Sequence, residues 1–129
     1  MLLVIMAVTA MAQKINYQAV ATCPRNMQTQ DYGKVAASDI KIVKDSDAVI
    51  TIDGRQYTVV SKDRDIKSDS IESYQYTTKD AFDGQYIITF NHDYYNPVEL
   101  MKYQVIFFDA NHPYDWTYYF CRKPKPADK

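Results

Sequence analysis

The stretch DIKIVKDSDAVITIDGRQYTVV, residues 39 to 60, alternates apolar and polar side chains, breaks at two short turns and resumes the alternation after each. Alternation places every second side chain on one face of an extended strand. DIKIVK, AVITI and RQYTVV therefore read as three consecutive strands of an antiparallel meander. Asp53-Gly54 between the last two is a two-residue hairpin signal, because the favoured turn needs φ > 0 at both central positions. Downstream, SIESYQYTT, QYIITFN, KYQVIFFD and WTYYFCR repeat the pattern, and upstream KINYQAVAT, residues 14 to 22, predicts an edge strand beside the last of them. The charged run KDRDIKSDS and the stretch PRNMQTQDYG after Cys23 read as loops. Asn96-Pro97-Val98-Glu99 has a helix-start signature and predicts one short helix near residues 97–102.

One face of this meander carries Ile40, Ile42, Ile50, Ile52, Tyr57, Val59, Tyr74, Tyr76, Tyr86, Ile88, Phe90, Tyr103, Val105, Phe107, Trp116, Tyr118 and Phe120. The other is mostly polar, with Ile106 and Phe108 as exceptions. One apolar and one wet face mark an antiparallel sheet curled on itself. The expected fold is all-β, an up-and-down meander closed into a small barrel or half-barrel, with a β-sandwich as the alternative.

A chain of 129 residues is the size of one domain. Residues 13–122 are expected to form that domain and 123–129, with two prolines and no apolar run, to fray. The first twelve residues, MLLVIMAVTAMA, carry no charge and end in Ala10-Met11-Ala12, which suits a signal peptidase. Residues 1–12 thus read as an export signal, with a first core strand as the alternative. A membrane span needs ~20 apolar residues, so none is expected. Fifteen Lys and Arg against sixteen Asp and Glu, without a basic stripe, argue against nucleic acid. In an exported chain Cys23 and Cys121 are candidates for a disulfide; two buried free thiols are the other possibility.

On the export signal and on SDIKIVKDSDAVITIDGRQYTVVS, residues 38 to 61, the chain resembles small exported lipocalin-like β proteins of gut bacteria. The resemblance implies a fold and a periplasmic or extracellular location, and no catalytic residue.

Chemical motifs are few. Gly33, Gly54 and Gly84 lie too far apart for a phosphate-binding loop, and Gly-x-Ser-x-Gly, Cys-x-x-Cys and His-Glu-x-x-His patterns are missing from the sequence. No metal or cofactor is expected. His92 and His112 each sit among turn-forming residues and, in an up-and-down topology, at opposite ends of the sheet. Asp45, Asp47, Asp63, Asp65, Asp69, His92 and Asp93 are expected to gather at one end as a solvated acidic rim. Glu72 and Asp109 are the strand carboxylates that share a face with apolar residues, which makes them the candidates for a general acid in a hydrolase reading. The tyrosines say more. So many polar-tipped rings on one inner face need hydrogen-bond partners that a dry core rarely supplies. They either reach water at the rim or line a pocket. The pocket reading takes Tyr74, Tyr76, Tyr86, Tyr103 and Trp116 as walls and Glu72 near one mouth, for a small planar or sugar-like ligand. A protein-binding or inhibitor module acting through the sheet edge or the Asp-rich loops is a third reading; the sequence does not define a protein partner.

Overall fold

The computed structural model describes residues 14–126 and is all-β, an eight-stranded antiparallel closed barrel with two short extra strands. The strands are β1 (Lys14–Asn26), β2 (Asp31–Tyr32), β3 (Ala36–Asp45), β4 (Val49–Ile52), β5 (Arg55–Lys67), β6 (Ile71–Lys79), β7 (Gln85–Asp93), β8 (Tyr103–Asp109), β9 (Asp115–Cys121) and β10 (Lys125–Pro126). From β3 to β9 each strand pairs with the next in sequence. The meander expected over residues 39–60 forms as β3, β4 and β5. Asp53 and Gly54 both adopt positive φ, 51° and 82°, as its second turn requires.

β1 closes the barrel. It is not an edge strand, since it pairs with β3 along its first half and with β9 along its second, which rules out the sandwich. It also runs on through Pro24 to Asn26, so part of the expected loop after Cys23 is strand. The register shifts between Ala19 and Ala21, a bulge centred on Val20. One inserted residue reverses which side of the wall the following side chains face. Ala19 therefore belongs to the barrel interior with Ile42, Tyr76, Ile88, Val105 and Cys121, whereas Ala21 and Cys23 join a second, outer cluster with Ile106, Tyr118 and Phe120.

That bulge decides the cysteines. The disulfide expectation is corrected, because both cysteines are buried and unbonded. Cys23 lies opposite Tyr118, three positions along β9 from Cys121 and on the other side of the wall. Three strand residues span roughly 10 Å, beyond the reach of an S–S bridge. Burial pushes the Cys121 thiol up to about 12. Neither thiol should react with a water-soluble disulfide reagent in the native protein, both should react after denaturation, and a reductant should leave the intact mass unchanged. A gain of two mass units on reduction would refute this arrangement.

β9 is also inverted relative to expectation. Tyr119 pairs with Val105 and Cys121 with Tyr103, which turns them inward and sends Trp116, Tyr118 and Phe120 outward. The sequence WTYYFCR has large side chains at both parities. The pairing chooses the parity that buries Ile106 and half-covers Phe108 on the outside, where Phe108 stacks on Trp116 with centroids 4.9 Å apart.

Three further expectations change. KDRDIK is not a loop, since β5 continues to Lys67 through two register shifts. The expected helix is a single 3₁₀ turn, Glu99–Met101, preceded by Asn96 Oδ1 accepting from the Val98 amide at 2.9 Å. Lys125–Pro126 do not fray but pair with Ile15 and Asn16 of β1. The segment read as an export signal, residues 1–12, lies outside the described residues.

Candidate functional site

The barrel interior is solid at one end and open at the other. At the solid end Tyr57, Tyr86 and Phe107 pack ring on ring, with centroids 5.2 to 5.4 Å apart, above Ile52 and Ile88. At the other end, where the β3–β4, β5–β6 and β7–β8 connections lie, a cavity of about 670 Å³ opens to solvent. Tyr17, Phe90, Tyr74, Tyr103 and His92 form its aromatic wall, and Lys44, Lys62, Asp65, Lys67 and Glu72 its charged side. Lys123 to Pro126, the segment containing β10, borders it as well.

Three of the five residues of the charged side, Lys62, Asp65 and Lys67, come from β5. Beyond Val59 every residue of that strand is exposed, on both faces. Its inward-facing residues Lys62, Asp65 and Lys67 stand opposite Tyr76, Tyr74 and Glu72 of β6. A strand that shows charge on its inner face looks into water, and this half of the barrel is therefore wet.

At the inner end of the cavity lies Lys44. The alternation of β3 turns it inward after Ile40 and Ile42, and it is buried, with 8 % of its surface exposed. Its Nζ lies 4.8 Å from the centre of the Tyr74 ring, 5.3 Å from Phe90 and 5.8 Å from Tyr76, distances at which a cation is attracted to a ring face. The ammonium donates one long hydrogen bond, 3.5 Å, to the Tyr76 hydroxyl. Tyr76, itself fully buried, donates at 2.7 Å to Asp47 Oδ1 on the β3–β4 loop. That bond is the main reason the Asp47 carboxyl is held below its ordinary value. Burial in turn lowers the Lys44 ammonium below its usual range.

Lys62 is differently placed, 3.4 Å from Asp47 Oδ2 and 3.2 Å from Asp65 Oδ2. Lys67 approaches Glu72 at 3.6 Å. Among the described residues no carboxylate lies within 4.0 Å of the Lys44 ammonium. The full lining counts five lysines, with Lys123 and Lys125, against Asp65 and Glu72. The lining is thus richer in lysine than in carboxylate, while Asp45, Asp47, Asp69 and Asp93 stand on the strand ends and turns of the same opening.

The two histidines lie at opposite ends, as their loops require. His112 is an exposed turn residue beside Asp109 Oδ2 at 3.4 Å. His92 is not in a turn. It belongs to β7, stacked on Tyr103 at 4.1 Å and tilted against Tyr94 at 3.9 Å between centroids, with Nδ1 3.8 Å from Glu72 Oε2. Desolvation lowers its basicity below the ordinary 6.5, and Glu72 opposes the shift. Among the described residues no three His, Cys, Asp or Glu side chains come together as a metal site.

Of the residues expected to form a pocket, Tyr74, Tyr103 and Glu72 line the cavity and Tyr76 lies beside its Lys44 end, hydrogen-bonded to protein. Tyr86 belongs to the solid end. Trp116 lies outside the barrel, in a shallower groove with Arg25 and Tyr32, its Nε1 donating to the Pro113 carbonyl at 2.8 Å. Asp109 is likewise remote from the cavity and accepts from the Asn111 amide at 2.9 Å. Sequence reasoning missed Tyr17, Lys44, Lys62 and His92. The interruption of an apolar face by Lys44, and of apolar alternation by KDRDIK, was the signal for two of them. No protein-family model, curated protein or solved structure matched the chain.

Proposed function

We propose that this protein is an exported, non-catalytic binding module that takes a small planar organic molecule into the open end of its barrel. The observation that supports the reading most is the cavity itself, about 670 Å³ with five aromatic side chains and a buried cation at its inner end. Its volume is in the range of small-molecule sites, and an aromatic wall with a few polar groups is their usual lining. Rings offer flat faces at low entropic cost to a planar guest. Trp116 is outside the cavity, so its emission is a poor reporter, and calorimetry is the appropriate measurement. Among planar aromatics and saccharides, the planar compounds are expected to bind with one-to-one stoichiometry, about tenfold more weakly to a Tyr103→Ala variant and unchanged in Trp116→Phe. If no compound in a broad set binds or raises the melting temperature, the reading fails.

One observation favours a hydrolase instead, the approach of His92 to Glu72 in the cavity wall. A carboxylate beside an imidazole can move a proton to or from a bound substrate. Hydrolysis of chromogenic esters or glycosides that disappears in Glu72→Gln, with ligand binding retained, would replace the binding reading with this one.

A further inference from the structure

We propose that the ligand of the barrel mouth is an organic carboxylate, held with its carboxylate inward on Lys44 and its planar body among Tyr17, Tyr74 and Tyr103. This rests on the reading of the mouth as a ligand site and adds the chemistry of its occupant. A buried charge is costly unless it is paired. The Lys44 ammonium has three N–H donors and gives only one long bond, to a hydroxyl whose own proton is committed to Asp47. Aromatic faces lie against it, and the nearest charges, Asp47 beyond the Tyr76 hydroxyl and Lys62 over the same rings, make no direct bond to it. Its neighbours along the inward face of β3, Ile40 and Ile42, are apolar, as that face of the barrel demands. The sequence thus maintains an ammonium where packing alone favours a hydrocarbon.

The other cations do not answer the same need. Lys62 and Lys67 have carboxylates within 4 Å, and Lys123 and Lys125 border the opening from the C-terminal segment. The arrangement is one buried ammonium beneath an aromatic wall, with no carboxylate within 4.0 Å of it among the described residues. A phosphate dianion needs several convergent donors. One ammonium suits a monoanion, and a carboxylate offers it two acceptor oxygens and a short charge-assisted bond.

The test compares 2-naphthoate with 2-naphthalenemethanol, which share a ring system and differ in charge, by calorimetry on the unaltered protein and on Lys44→Met. Naphthoate is expected to bind at least tenfold more tightly than the alcohol. Lys44→Met should reduce naphthoate to the level of the alcohol while leaving the alcohol within twofold, and Lys125→Met should keep the carboxylate preference. Equal binding of the two compounds to the unaltered protein overturns the carboxylate assignment and leaves the ligand site standing, whereas binding of neither overturns both. A preference that survives in Lys44→Met removes Lys44 as the anchor. Displacement of naphthoate by millimolar inorganic phosphate would give the site to a phosphate instead. Because the comparison of the two compounds needs no variant, it decides the assignment even if Lys44→Met fails to fold.

Discussion

Replacing Tyr76 by alanine is expected to lower the unfolding free energy by about 3–5 kcal/mol, the range for truncating a large buried aromatic side chain. Tyr76 is fully buried on β6, and its ring meets Phe90 edge-on at 5.9 Å. Its removal opens a void in the middle of the barrel that the flanking strands cannot collapse to fill, because each is paired on both sides. Tyr76→Phe separates the ring from the hydroxyl. It should cost about 1.5 kcal/mol, the low end for a hydrogen bond to a charged acceptor, because the Asp47 side chain is 58 % exposed. The two variants should also differ in acid. Asp47 is lowered in the folded state chiefly by the Tyr76 hydroxyl. Its contribution to stability is therefore complete above its unfolded value of 3.8 and is lost as pH falls through the folded value beneath it. Tyr76→Phe should flatten that part of the acid limb. Denaturant melts of the three proteins between pH 2 and 7 measure both quantities. A Tyr76→Ala cost below about 1 kcal/mol would mean that the Tyr76 ring is not packed in the barrel interior as described.

Most of the strand inventory was legible, because seven meander strands and KINYQAVAT each announce themselves by alternation and the Asp53-Gly54 turn fixes one register outright. What alternation does not contain is the place where it slips. The Val20 bulge reverses the inside and outside of β1, and nothing in NYQAVATC marks it, since small residues there fit either face. The same holds for β9, whose two parities are both apolar and whose facing is set by partners on β8. The errors over Cys23 and Trp116 are thus one error about facing. The site was legible in proportion to how regular its strands are. Tyr74 and Tyr103, on regular strands, fall in the cavity wall, while Lys62 lies between the two register shifts of β5, in a segment whose charges resemble a loop. Charge on the inner face of a strand is an exception to the usual pattern, and here the exception marks the opening.

Lys44→Met is expected to stabilise the empty protein by about 1–3 kcal/mol, with a rise in melting temperature of about 4 °C for each kcal/mol in a domain of this size. Methionine keeps the length and flexibility of the lysine stem and brings a thioether that packs well against aromatic rings. What it removes is an ammonium whose burial lowers its proton affinity against the opposing pull of Asp47 beyond the Tyr76 hydroxyl. The loss of attraction to the Tyr74 and Phe90 rings opposes the gain, at roughly 0.5–2 kcal/mol. So does the loss of one long hydrogen bond to Tyr76, although the stronger bond from Tyr76 to Asp47 is untouched. The sign carries over to pH. A lysine whose folded value is depressed destabilises the native state fully below that value, and the penalty disappears as pH rises towards the unfolded value of 10.5. The advantage of Lys44→Met over the unaltered protein should accordingly be largest at neutral pH and shrink in alkali. An unchanged or lower melting temperature at neutral pH would show that the ring faces already compensate the charge, and Lys44 would then be a structural residue of the barrel. A higher one means that the fold carries a residue against its own stability, which is the relation expected of a side chain whose partner arrives from solution.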